Sequence, residues 1–334
     1  MNRFLPNGYA DIKSILSAGM PFTFLIGGRG TGKTYGALKY AIEEDKKIML
    51  MRRTQSQADI INKPEFSPFK PLERDLLVEI SVDSVNKYSA SFRIQDRVIG
   101  YSCALSTVSN LRGFDASDIQ LLIYDEFIPE KHERPIKHEA DALLNAYETM
   151  NRNRELTGAN PLQLLALANA NDIANPIFRD LGLIGICEKM KQKNNPVYLD
   201  PKRGICIVML DGSSISKKKE DTALYRLAAG SDFSGMALSN DFEYNDRSAI
   251  RSQNLRDYKI ICSVGDIHIY RHRSKKLYYI SAHGNGKAVQ FTTSDIDLDR
   301  FRKKYGRVLY ISYLTNNVIF ENMVVKSMFE WYIM

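Results

Sequence analysis

The chain has 334 residues, 44% of them apolar and 25% charged, with a formal net charge of +7. The length points to two domains, and the composition to a globular chain able to bury a full core. No run approaches the roughly 18 apolar residues of a transmembrane helix, and Cys103, Cys187, Cys206 and Cys262 form no C-x-x-C pair, which argues against a zinc site or disulfide framework and fits a reducing cytosol; the basic balance favours nucleic acid or another polyanion as partner.

Residues 1–20 read as a lead-in helix or loop placed to pack on a nucleotide base. Residues 22–34 read FTFLIGGRGTGKT. An apolar run predicts a buried strand, the glycine-rich stretch a loop, and Ala37, Leu38, Ala41 and Ile42 one face of the helix that follows. Gly27, Gly28, Arg29, Gly30, Thr31, Gly32, Lys33 and Thr34 thus form a P-loop in the context it needs. Glycines let backbone N–H groups turn to phosphate oxygens, and the helix N-terminus adds positive charge. Lys33 reaches the β and γ phosphates, and the Thr34 hydroxyl holds Mg²⁺. Residues 47–53 (KIMLMRR) predict a second buried strand. Arg52 and Arg53 sit at its exit, either as a solvated strand end or as a phosphate or DNA contact.

Residues 54–75 read as loop-rich, with Pro64, Pro68 and Pro71 barring a long helix. Strands are expected over 76–82 and 89–101, the latter a hairpin turning at Gln95, Asp96 and Arg97. In residues 119–127 (IQLLIYDEF) an apolar strand ends in two acids, the Walker B arrangement. Asp125 can hold the Mg²⁺ shell, and Glu126 can orient and deprotonate the attacking water. A helix over 138–154 ends in Arg152 and Arg154, which suit either a helix dipole or an arginine finger reaching a neighbouring subunit. Residues 162–168 (LQLLALA) predict the strand beside Walker B, with Asn169 at its end as a sensor amide or a turn residue.

Residues 189–221 read as a linker or small subdomain, with Lys217, Lys218 and Lys219 a solvated run or a DNA contact. Strands are expected over 259–264, 267–271, 277–281 and 308–312, and a closing helix over 322–332. Basic residues interleaved with aromatics over 268–279, including Arg271, Arg273, Lys275 and Lys276, fit nucleic-acid contact, as they fit a half-solvated sheet.

GGRGTGKT, LLIYDEF with IPEK, NRNRE and LANAN…NPIF, in this order and spacing, resemble the genome-packaging ATPases of small tailed bacteriophages of the picovirus type. The resemblance implies an α/β, additional-strand P-loop ATPase domain (residues 1–188), the 189–221 linker, and an α+β RNase H-like domain (222–334) that binds nucleic acid or portal. It implies an ATP- and Mg²⁺-dependent translocase packaging double-stranded DNA into a procapsid; the alternatives are a helicase or recombination P-loop ATPase, or a nucleic-acid-binding scaffold with weak ATPase. It further implies Glu126 as catalytic base, Arg152 as the trans-acting finger in preference to Arg154, Asn169 as sensor, and Arg29 as a γ-phosphate sensor. The implied assembly is a homo-oligomeric, pentameric ring at the portal vertex in the host cytoplasm, free of membrane, with a structural packaging RNA as a further partner. The first strand of the RNase H-like domain, KIICSV, carries no acid, so nuclease activity is not expected.

Overall fold

The computed structural model describes residues 1–333 apart from 112, 131, 132, 134, 135, 137, 172, 232, 233, 235–247 and 285. Its two compact units are Met1–Ile177 with Lys189–Tyr244, and Phe178–Glu188 with Asn245–Met334.

In the first unit, α1 (Ile12–Leu16) precedes β1 (Phe22–Gly27), and the P-loop leads into α2 (Lys33–Glu43). Then come β2 (Ile48–Arg52), α3 (Gln55–Ile61), α4 (Lys70–Leu76), β3 (Ile80–Asn86), β4 (Ser89–Ile94) and β5 (Arg97–Ala104). The Walker B strand β6 (Leu121–Asp125), α5 (Glu139–Asn151) and β7 (Gln163–Ala168) follow. After α6 (Pro176–Asp180) and α7 (Ile184–Gln192), of which the second unit takes Phe178–Glu188, the first unit adds β8 (Val197–Asp200), β9 (Ile205–Leu210), α8 (Ser214–Lys219) and α9 (Ala223–Leu227).

The sheet order is β3-β4-β5-β2-β6-β7-β1-β9-β8. From β5 to β9 every pairing is parallel, and these strands read as continuous apolar runs because both faces are covered. Leu25, Leu50, Ile123, Leu165 and Val208 pack in one core with Ile12, Ile15, Ala37 and Leu38. Each such buried Leu, Ile or Val side chain contributes about 1.5–3 kcal/mol. β7 lies between the P-loop strand and the Walker B strand, which is the additional-strand ATPase arrangement expected.

The linker expectation is overturned. Ile205–Leu210 pairs along all of β1, from Phe22 with Ile205 to Gly27 with Leu210, so residues 189–221 help build the main sheet. Sequence distance hid this, because strand neighbours in a parallel sheet need not be chain neighbours. The second unit also departs from the expected boundary, since it starts at Asn245 rather than 222 and takes in Phe178–Glu188. The prolines of 54–75 do not prevent two short helices: Pro71 sits in the first turn of α4, where no N–H is missed, and Thr54 with Gln57 forms a capping box on α3. Leu77, at φ +53°, ends α4, so the next strand starts at Ile80 rather than 76.

The second unit is an antiparallel meander, β10 (Tyr258–Val264), β11 (Ile267–His272) and β12 (Tyr278–Ser281). β13 (Val289–Phe291) lies parallel to β10, as expected of an RNase H-like sheet, and β14 (Val318–Phe320) is parallel to β12 at the other edge. Helices α10 (Asp295–Phe301), α11 (Arg307–Leu314) and α12 (Met323–Ile333) complete this α+β unit. Residues 308–312, expected as a strand, lie in α11. Leu309 is buried while Val308, Tyr310 and Ile311 are exposed, which is a helical face rather than an alternating one; a five-residue apolar run cannot distinguish the two.

One buried ionic network ties the Walker B region together. Arg53 is fully buried, with Nε and Nη2 donating to the Glu139 carboxylate at 2.7 and 3.0 Å and Nη1 to Glu133 at 2.8 Å. Tyr124 Oη also donates to Glu139, at 3.2 Å. Removing one member of a buried pair strands the other's charge. Arg53→Met is therefore expected to lower the stability of the first unit by about 3–5 kcal/mol, and adding Glu139→Leu to recover much of that loss. Urea unfolding followed by circular dichroism measures both; an additive double variant would contradict the pairing.

Candidate active site

The cleft forms at the carboxyl ends of β1, β7 and β6. Gly30 and Gly32 have φ of +71° and +77°, a left-handed geometry that favours glycine. A Cβ on Gly32 would also stand 2.8 Å from the Tyr9 ring. α2 starts at Lys33, so its first N–H groups face the loop. Lys33 folds back over the loop: Nζ donates to the carbonyls of Gly27 and Gly28 at 2.8 and 2.9 Å and to Asn169 Oδ1 at 3.2 Å. Asn169, at the end of β7, is thus within reach of the P-loop lysine. Burial pushes the Lys33 ammonium down to about 7, with Lys219 and Arg29 adding like charge and Asp125 and Glu126 opposing them.

Thr34 Oγ1 donates to Asp125 Oδ1 at 3.0 Å. Two oxygens that bind one octahedral Mg²⁺ at about 2.1 Å lie about 3 Å apart, so this hydroxyl–carboxylate pair fits the ion. Glu126 follows with φ +60°, turning the chain sharply off the strand. Burial raises its carboxyl above the usual range against the pull of Arg52, and Asp125, Glu133 and Glu130 raise it further. A base beside a phosphate needs this tuning toward neutrality.

Arg52 is not a solvated strand end. Its guanidinium meets Glu126 Oε2 at 2.5 Å and Asp125 Oδ2 at 3.4 Å, with its side chain 15% exposed. The parallel β2–β6 pairing brings the two strand ends side by side. Arg29 forms an ion pair with Glu130, just beyond Walker B. Together Arg29, Gly30, Gly32, Lys33, Thr34, Asp125, Glu126 and Asn169 border a cleft of about 320 Å³. A larger cleft of about 900 Å³ shares Gly32 and Tyr35 with it and is lined by Tyr9, Asp11 and Lys13 of the N-terminal segment and by Tyr40.

Arg152 and Arg154 are not brought to the cleft. The helix α5 has 13 residues, about 20 Å at 1.5 Å per residue, and carries the chain back to the amino ends of the parallel strands. There Arg152 Nη2 donates to the Phe114 carbonyl at 3.0 Å and Nη1 lies 3.6 Å from Asp115. Arg154 Nη2 donates to the Ala116 carbonyl at 2.9 Å. Neither can serve the cleft of its own chain. In the second unit Arg271, Arg273, Lys275 and Lys276 are exposed on β11 and the following turn. The tyrosines read among them are not: Tyr270 and Tyr279 are buried in one cluster with Tyr258 and Ile319, and Tyr278 is buried in the unit's larger core. Stacking on bases is thereby removed from that reading, and the charges stay. Among the described residues no three His, Cys, Asp or Glu converge as metal ligands, and no helix is long and apolar enough to cross a membrane.

Reading the sequence missed the Arg52 clamp, Glu130 and Lys219, whose ammonium donates to the Arg29 carbonyl at 2.6 Å. Arg52 had a signal, its place at the end of a strand neighbouring Walker B; Lys219 had none beyond its lysine run.

Residues 7–298 match the family described as Podovirus DNA encapsidation protein (Gp16). The DNA packaging protein of Bacillus phage phi29 is 24% identical over 333 residues, 94% of each chain. The solved Phi-28 gp11 DNA packaging motor superposes with a TM-score of 0.66 at 21% identity, covering 98% of this chain and 96% of that one. The N-terminal domain of the DNA packaging ATPase from bacteriophage phi29 gives 0.51 at 23% identity, covering 62% of this chain and 97% of that one. At such identities the structures speak for a shared fold.

The lowered Lys33 affinity for protons has a measurable sign. Phosphate binding needs the ammonium. Below pH 7 it is already charged; above pH 7 the empty site must take up a proton to bind. Nucleotide affinity is therefore expected to be flat from pH 6 to 7 and to fall by up to about tenfold per unit above it. Titration of a fluorescent ATP analogue from pH 6 to 9 checks this, and Lys33→Arg, charged throughout, should lose the fall.

Proposed function

Because the chain belongs to the Podovirus DNA encapsidation protein (Gp16) family, we propose that the cleft hydrolyses ATP and that hydrolysis drives double-stranded DNA into a procapsid. The observation that carries the chemistry is the convergence of Lys33, Thr34, Asp125, Glu126 and Asn169 at three adjacent strand ends. Lys33, Thr34 and the loop N–H groups bind the phosphates; Thr34 and Asp125 hold Mg²⁺, which would neutralise phosphate charge. Glu126 takes the proton of the attacking water, and Asn169 holds Lys33 or the γ-phosphate side of the water. Arg52, against both Glu126 and Asp125, positions the base and the metal-binding carboxylate at the strand ends.

Arg152, exposed at the far end of α5 with Asp115 as a weak partner, suits a finger reaching a neighbouring copy in a ring, a pentamer by family resemblance, seated at the portal vertex in the host cytoplasm. Lys33→Ala is expected to abolish binding of a fluorescent ATP analogue, while Glu126→Gln keeps binding and stops phosphate release. Mixing Glu126→Gln with Arg152→Ala subunits should restore part of the turnover, since a mixed ring pairs an intact base with an intact finger. Full turnover by Glu126→Gln alone would remove that residue from the role, and mixed rings without recovery would remove Arg152.

The second unit holds nucleic acid without cutting it, through the exposed Arg271, Arg273, Lys275 and Lys276; DNA and a structural packaging RNA share the phosphate chemistry these cations recognise, and the portal is the protein partner. Replacing the four with Ala in the full chain should weaken duplex binding evenly across sequences and lower the salt slope by up to about one per lost contact. Fluorescence anisotropy at several salt concentrations measures the slope, and Mg²⁺-dependent cleavage on a gel would contradict the nuclease-inactive reading.

A further inference from the structure

The P-loop carbonyls are held by a set of donors drawn from across the first unit. Lys33 Nζ takes those of Gly27 and Gly28, and Thr31 Oγ1 also donates to Gly28 O at 2.9 Å. The Ala10 N–H donates to Thr31 O at 3.0 Å and the Gly36 N–H to Gly32 O at 2.7 Å. The remaining donor of this set is Lys219, on Arg29 O at 2.6 Å. A carbonyl and the next N–H point opposite ways across a trans peptide. Each carbonyl drawn outward therefore turns the following N–H toward the other side, and Gly30 borders the cleft.

Lys219 is placed there by a rigid path. β9 pairs with β1 along its length. The turn after it carries Ser213, fully buried, whose hydroxyl donates to Gly8 O at 2.6 Å and accepts the Ile215 N–H that opens α8. α8 then ends at Lys219, so close to the loop that a Cβ on Gly30 would stand 2.1 Å from Nζ. Its neighbours Lys217 and Lys218 are exposed, while Lys219 is half-buried, and burial lowers its proton affinity.

We propose that Lys219 is a positioning residue of the nucleotide site: it holds the Arg29 carbonyl outward so that the Gly30 N–H meets the ligand's polyphosphate, and its charge strengthens the field there. The ligand class is a nucleoside di- or triphosphate, and the inference rests on the nucleotide-binding reading of the cleft. A charge-assisted hydrogen bond that also orients a second donor is a contribution a purely structural strap would not make.

Fluorescent ATP and ADP analogues titrated against the full chain test this. Lys219→Met is expected to bind both on the order of tenfold more weakly. Lys219→Arg, which keeps a charged donor, should stay within about threefold, Lys218→Met should match the parent, and the nucleotide-free melting temperature should shift by less than about 2 °C in all three. Lys219→Met binding as the parent does would overturn the proposal. So would a Lys219→Met loss that comes with a large drop in melting temperature and is equally present in Lys219→Arg, for then the lysine only fastens α8. A parent chain that binds neither analogue would instead sink the nucleotide-site reading, a result told apart before any variant is made.

Discussion

β7 hydrogen-bonds to β1 on one side and to β6 on the other, and that double pairing sets the scale of the cleft. Strands stand about 4.8 Å apart, so the P-loop end and the Walker B end are held about 10 Å from each other. That gap admits a phosphate chain. It also leaves Asn169 at the end of the middle strand, where its side chain reaches Lys33. All three ends lie on the same edge because the strands are parallel, and parallel pairing here follows from helical crossovers that cover both faces of apolar strands.

Arg52 and Arg53 illustrate how one residue step divides two tasks. Successive residues of an extended chain point to opposite faces. Arg52 turns to the acids of the cleft, and Arg53 to the fully buried Glu139 and the partly buried Glu133. Glu139 opens α5, the helix whose other end carries Arg152. Glu126, Asp125 and the start of α5 are therefore braced by adjacent guanidiniums at one strand end. The Arg53–Glu139 pair is fully buried, so its geometry is held far more firmly than that of a surface ion pair, whereas Glu126 is half exposed beside the mostly buried Arg52.

The second unit solves a different problem with the same alternation. Along β11 the tyrosine goes into the cluster with Tyr258 and Tyr279 while Arg271 goes out. Burying the tyrosine rings stabilises the sheet, and leaving the cations in water avoids their desolvation. What is left on the surface is charge without aromatic platforms, a surface suited to a phosphate backbone more than to bases.

Much of the ATPase unit was legible in the linear chain. The P-loop is contiguous because backbone N–H groups of one short loop and the helix it opens must surround one phosphate chain. The two acids follow one apolar strand because a buried strand needs no other partner to be recognised. Those local constraints determined Lys33, Thr34, Asp125 and Glu126, and order and spacing determined the family resemblance. Contacts set by sheet order were not legible. Arg52 meets Glu126 through the β2–β6 pairing, across 74 positions, and Lys219 meets Arg29 through the β1–β9 pairing, across 190. Which strand lies beside which depends on how apolar faces pack together. That packing is a property of the whole unit, and no stretch of sequence carries it alone.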